Sequence, residues 1–209
     1  MASTYTDLGI ELMATGENAG TWGTKTNTNL TLIEQLTGGY ASVSIAGGAG
    51  TQALTIADGA LTGTAQARIL EFTGSITGNR IITIPNDVET FYIIKNSTSG
   101  AYTVQFKYAT GSGDTVTWSA TDKGTKIIYA TANDGTNPDI VDAMATSSEI
   151  SLANNNPVKF LDADNSASVG IKAPATVSGT YTLTLPAAVG STSQALVTTD
   201  GSGTLGFTS

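Results

Sequence analysis

From residue 40 onward, apolar and polar positions alternate with a period of two. Tyr102, Val104, Phe106 and Tyr108 interleave with Thr103, Gln105 and Lys107, as they would on a strand with one buried face. Ile81-Ile82-Thr83-Ile84, Phe91-Tyr92-Ile93-Ile94 and Lys126-Ile127-Ile128-Tyr129 are β-branched or aromatic runs suited to a pleated surface. Turn-forming stretches lie around them: Thr77-Gly78-Asn79-Arg80, Pro85-Asn86-Asp87, Ser99-Gly100, Gly111-Ser112-Gly113-Asp114 and Asn133-Asp134-Gly135. This spacing predicts a main β module over residues 40–145, built as an antiparallel meander or sandwich.

Residues 1–39 follow a different rhythm. Leu30, Ile33 and Leu36 recur every three residues, which predicts one short helix over about residues 26–36. A Thr or Asn within 26–28 can cap it, and Gly38 or Gly39 can end it in a left-handed turn. A helix of about 11 residues is marginal alone. Its apolar stripe therefore has to pack on its own chain, on a copy of itself or on another protein, and residues 1–39 read as an attachment segment. Trp22, between Gly20 and Gly23, either folds back to staple the helix or inserts into a partner. Trp22, Leu30, Ile33 and Leu36 are the expected docking and assembly contacts.

The stretch Ala143 to Asn156, closing on Asn154-Asn155-Asn156-Pro157, reads as a connector. A smaller β module is expected over residues 146–209. Val158 and Phe160, Val169 and Ile171, Tyr181, Leu183 and Leu185, Leu196, and Leu205 and Phe207 mark its short strands. So few large side chains bury little surface, so neighbouring copies or the main module must complete this core. Ser75 to Pro85 and Thr176 to Pro186 share a Gly, an alternation and a strand-ending Pro, which suggests a reused hairpin shape.

Composition narrows the chemistry. The 209 residues include no Cys and no His, so Ser-His-Asp and Cys-His catalysis and the usual zinc sites are excluded on inventory. Only 12% of residues are charged, and the formal net charge is −8. That excess opposes non-specific binding to nucleic acid or to an anionic membrane surface. The first seven residues lack a basic or apolar leader pattern, and no run approaches the ~20 apolar residues of a membrane span; the expectation is a soluble, unprocessed chain.

No cofactor or enzymatic activity is expected. Asp162-Ala163-Asp164-Asn165-Ser166 alternates oxygen ligands as a calcium loop begins, but it lacks the turn Gly and the twelfth-position Glu. An Asx-rich turn is the better reading. Asp134 to Asp139 and Asp200-Gly201-Ser202-Gly203 read as turns as well. Gly47-Gly48-Ala49-Gly50 and Gly111-Ser112-Gly113 are followed by no Lys-Ser/Thr, so they read as loops and not phosphate cradles. Among Tyr92, Tyr102, Phe106, Tyr108, Trp118 and Tyr129, core packing is expected over a carbohydrate-stacking face.

The stretch from Gly9 to Leu30, with Gly16-Glu17-Asn18, Gly20-Thr21-Trp22-Gly23 and Thr26-Asn27-Thr28-Asn29, resembles the opening of structural proteins from tailed bacteriophages, marine ones especially. Leu70 to Pro85 and Tyr92 to Val104 resemble a β module of tail-fibre-like proteins. Tyr181 to Ala188 and Gln194 to Leu205 are similar to a fibre repeat found near C-termini. The resemblance implies a virion component: a homotrimeric fibre or spike that docks to other tail, baseplate or capsid proteins through its N-terminal segment. Contact with a host surface glycan, or a place as a capsid-decorating head fibre, are the alternatives it leaves. Receptor-binding tips in such proteins are larger and C-terminal, whereas this chain closes on Gly206-Phe207-Thr208-Ser209. That difference favours a short fibre, a decorating fibre or a joining piece.

Overall fold

A computed structural model describes residues 2–121, 123–145, 156–179, 181–199 and 204–208. Most of the expected connector, including Asn154 and Asn155, and the turn Asp200 to Gly203 lie outside the described residues. The described chain is mainly β, with one helix near its N-terminus. It divides into two compact units, residues 1–148 and 149–209.

The first unit opens with a small hairpin, β1 (Thr4–Tyr5) and β2 (Glu11–Leu12), followed by helix α1 (Trp22–Gly38). Nine strands follow: β3 (Tyr40–Ser44), β4 (Gly50–Ala53), β5 (Ile69–Thr73), β6 (Arg80–Ile84), β7 (Thr90–Asn96), β8 (Val104–Tyr108), β9 (Val116–Trp118), β10 (Thr125–Ala130) and β11 (Ile140–Asp142). They form two sheets, ordered β11-β10-β7-β5-β3 and β4-β6-β8-β9.

Two packed sheets fit the sandwich expectation, but the strand directions correct the antiparallel meander. From β3 to β8 the chain crosses from one sheet to the other at every step, and each strand lies parallel to the one two before it. Tyr40 aligns with Ile69 and Ile69 with Ile93; Gly50 aligns with Arg80 and Arg80 with Val104. The result is a parallel coil of three turns. Antiparallel pairing enters at its end, where β10 joins β7, β11 joins β10 and β9 joins β8.

The corners between the sheets are as regular as the strands. Parallel bridges link Gly47 to Ile76 and Ser75 to Ser99. Gly100 has φ +98°, and a Cβ there would lie 2.2 Å from the Ile76 carbonyl oxygen, so this corner requires a residue without a side chain.

The core lies between the sheets. Leu70, Phe72, Ile82, Ile84, Tyr92, Ile94, Val104, Phe106, Tyr108 and Trp118 are all buried there. Phe72 sits 6.2 Å from Phe106 and 6.1 Å from Trp118 between ring centroids, and Tyr92 meets Phe106 edge-on at 5.8 Å. The polar ends of these aromatics are satisfied: Tyr92 OH donates to Ala65 O at 2.9 Å, Tyr108 OH to Val88 O at 2.8 Å and Trp118 Nε1 to Gly124 O at 2.9 Å. Burial pushes the Tyr92 hydroxyl pKa well above its ordinary value.

The second unit contains two hairpins, β12 (Val158–Leu161) with β13 (Ser168–Ile171), and β14 (Leu196–Thr198) with β15 (Leu205–Phe207). The strand expected at Tyr181 to Leu185 is reduced to an isolated parallel bridge between Thr184 and Thr204. Its counterpart in the sequence echo, residues 80–84, is a full strand of the coil, so the two do not share a hairpin shape.

Candidate docking surface

Glu11 is the centre of the N-terminal segment. It is 4% exposed and pairs with Lys25 Nζ at 2.9 Å, while Asn18 Nδ2 donates to its other carboxylate oxygen at 3.3 Å. Hydrogen bonding to Lys25, supported by Ser3 and Asn18 and opposed by burial, holds its carboxyl pKa below the usual range. Asn29 fastens the same residue through its backbone, accepting from Glu11 N at 3.0 Å and donating to Glu11 O at 2.8 Å. The polar residues of the N-terminal motif therefore lock β2 onto α1.

The hairpin and helix are also bonded to the coil. Gly59 N donates to Gly9 O at 2.8 Å and Gln66 Nε2 to Leu8 O at 3.1 Å. Arg68 N donates to Gln35 O at 3.0 Å and Ile69 N to Gly39 O at 2.9 Å. Residues 1–39 thus belong to the same compact unit as residues 40–148.

The helix departs from its expected limits at both ends. It starts four residues early because Asn18 O accepts from both Thr21 N and Trp22 N at 2.9 Å. The residues expected to cap it, Thr26, Asn27 and Thr28, lie inside it, where the Thr28 hydroxyl donates to the carbonyl of Thr24. It ends at an extended Gly39, φ −69° and ψ 151°, and not in a left-handed turn. Glycine is needed there for closeness, since a Cβ would lie 2.7 Å from Gln35 Cα.

The apolar stripe is also redistributed. The side chains buried within the chain are Leu32 and Leu36, at 0% and 9% exposure, spaced one helical turn apart. Leu36 is therefore removed from the expected docking set, and Leu32 was the missed core position. Trp22, Leu30 and Ile33 are 65%, 59% and 44% exposed, and at 100° per residue they fall within one side of the helix. Trp22 does not fold back on the helix; its side chain stands outward.

The other candidates fall to structural roles. Asp162 accepts from Ala167 N and Ser166 Oγ, and Asp164 from Ser166 N, in an Asx-type turn. Tyr92, Phe106, Tyr108 and Trp118 are core residues, while Tyr102 and Tyr129 are exposed. Among the described residues no helix is long and apolar enough to cross a membrane. Comparison with protein families, curated proteins and solved structures finds no match.

Proposed function

We propose that this protein is a structural, fibre-like component of a bacteriophage particle, assembled as a homotrimer and docked to other virion proteins through residues 1–39. The observation that carries the docking role is the outward face of Trp22, Leu30 and Ile33. A large aromatic held exposed on a rigid element is the kind of anchor that dominates interface energetics. Its exposure serves no internal packing, because Leu32 and Leu36 are the side chains the helix buries within the chain.

The need for several copies comes from the second unit. Val158, Phe160, Val169, Ile171, Tyr181, Leu183 and Leu185 are all exposed, and isolated two-stranded hairpins are marginal in water. Copies of the chain supply the missing cover. A carbohydrate-contacting role is the second reading, favoured by Phe91 and Tyr129, which face each other across β7 and β10 and are both exposed.

Particle assembly with Trp22→Ala and Ile33→Asp chains tests the docking role. Both are expected to fold and to be left out of particles; normal incorporation would refute it. Sedimentation of the wild-type chain tests the homotrimer, and saturable binding on a glycan array would favour the second reading.

A further inference from the structure

The unit of residues 149–209 has no buried side chain among its described residues. Two of its features match each other. The first is the tip of hairpin β12–β13, where Phe160 and Leu161 are exposed and are followed by the carboxylates of Asp162 and Asp164. The second is a cleft of about 580 Å³ walled by Ile171, Pro174, Val177, Tyr181 and Leu183. Lys172 is the one charged residue among the described residues of its lining.

We infer that this cleft receives the β12–β13 tip of a second copy of the chain, with Leu161 seated in it and Asp162 and Asp164 facing Lys172. Apolar meets apolar, and two negative charges meet one positive charge. The hairpin's own tip is at the wrong end to fill its own cleft. Ile171 pairs with Val158 at the hairpin base, whereas Leu161 pairs with Ser168 at the tip, about 10 Å further along at the usual rise of a strand.

A tip on one copy and a cleft on the next make a heterologous contact, which closes into a ring when the rotation between copies allows. The inference rests on the multi-copy reading above and adds the surfaces that make the contact.

The absence of Cys gives a clean test in the full-length chain. Leu161→Cys and Leu183→Cys chains, co-expressed and oxidised, are expected to form a disulfide-linked two-chain species that neither variant forms alone. Lys172→Glu is expected to lower the assembly mass at a given concentration. A wild-type chain that sediments as an assembly while the mixture gives no cross-link, or while Leu161→Cys cross-links by itself, would overturn the tip-in-cleft contact and leave the multi-copy reading standing. A wild-type chain that sediments as a monomer would overturn both.

Discussion

Asn29 holds both backbone polar groups of Glu11, accepting from its N–H at 3.0 Å and donating to its carbonyl at 2.8 Å. It serves as a side-chain substitute for a neighbouring strand, since β2 pairs with β1 and Asn29 binds Glu11 from the helix. Asn29→Ala is expected to cost about 1–3 kcal/mol, because it strands partly buried backbone groups. Hydrogen exchange should show the loss concentrated at β2 and the first turns of α1. Uniform loss across the coil would contradict this.

Folding and docking should separate on the helix. Leu32→Ala empties a fully buried position and is expected to destabilise by about 2–5 kcal/mol. Trp22→Ala should change stability by less than about 0.5 kcal/mol. Denaturant unfolding of the two variants reads the difference directly.

Glu71 accepts from Lys95 Nζ at 3.0 Å, from Ser97 Oγ at 2.6 Å and from the Tyr40 hydroxyl, on the outer face of three successive turns of the coil. These bonds, Ser97 first, hold its pKa at about 2 against an ordinary 4.5. A carboxylate whose folded pKa is depressed adds stability that is complete above pH 4.5 and is lost as pH falls toward 2. Glu71→Gln is expected to flatten the dependence of melting temperature on pH within that window. An unchanged slope would show that the three hydrogen bonds to Glu71 are not held in solution.

Gly100→Ala should destabilise by about 1–3 kcal/mol, through a strained positive φ and collision with the Ile76 carbonyl. Gly23→Ala, in the helix with open space around it, is expected to be neutral or stabilising by up to about 1 kcal/mol. Thermal melts of the two variants should move in opposite directions or differ by several degrees.

Phe72 touches both Phe106 and Trp118 and joins the two sheets. Phe72→Ala is expected to cost about 3–5 kcal/mol, visible as a fall in the denaturant midpoint. A smaller loss would mean that the sheets close over the cavity.

The strands of the main unit were legible where apolar runs were dense: β6, β7, β8 and β10 lie where the alternation places them. Their directions were not. A period of two fixes which face of Val104, Phe106 and Tyr108 is buried, and it is identical for parallel and antiparallel neighbours. The repeat of the coil was also hidden, because aligned inward positions share burial and not identity: Phe72 stacks on Asn96, and Ile84 on Tyr108. On the helix, a three-residue spacing selected Leu30, Ile33 and Leu36, while the pair the fold buries is Leu32 and Leu36, four residues apart. Nothing in a single sequence ranks those two stripes. Glu11 and Asn29 were visible only as members of a motif, since their pairing depends on a hairpin too short to register in periodicity.

The same offset of 24 residues separates Ile69 from Ile93 and Arg80 from Val104. Each turn from β5 onward is thus a segment of constant length laid on its predecessor, sealed at the far end by β9, β10 and β11. Such a stack works as a ruler: inserting or deleting one 24-residue segment would change the distance between the N-terminal helix and the sealing strands by one strand spacing, about 4.8 Å, and leave every other neighbour in place.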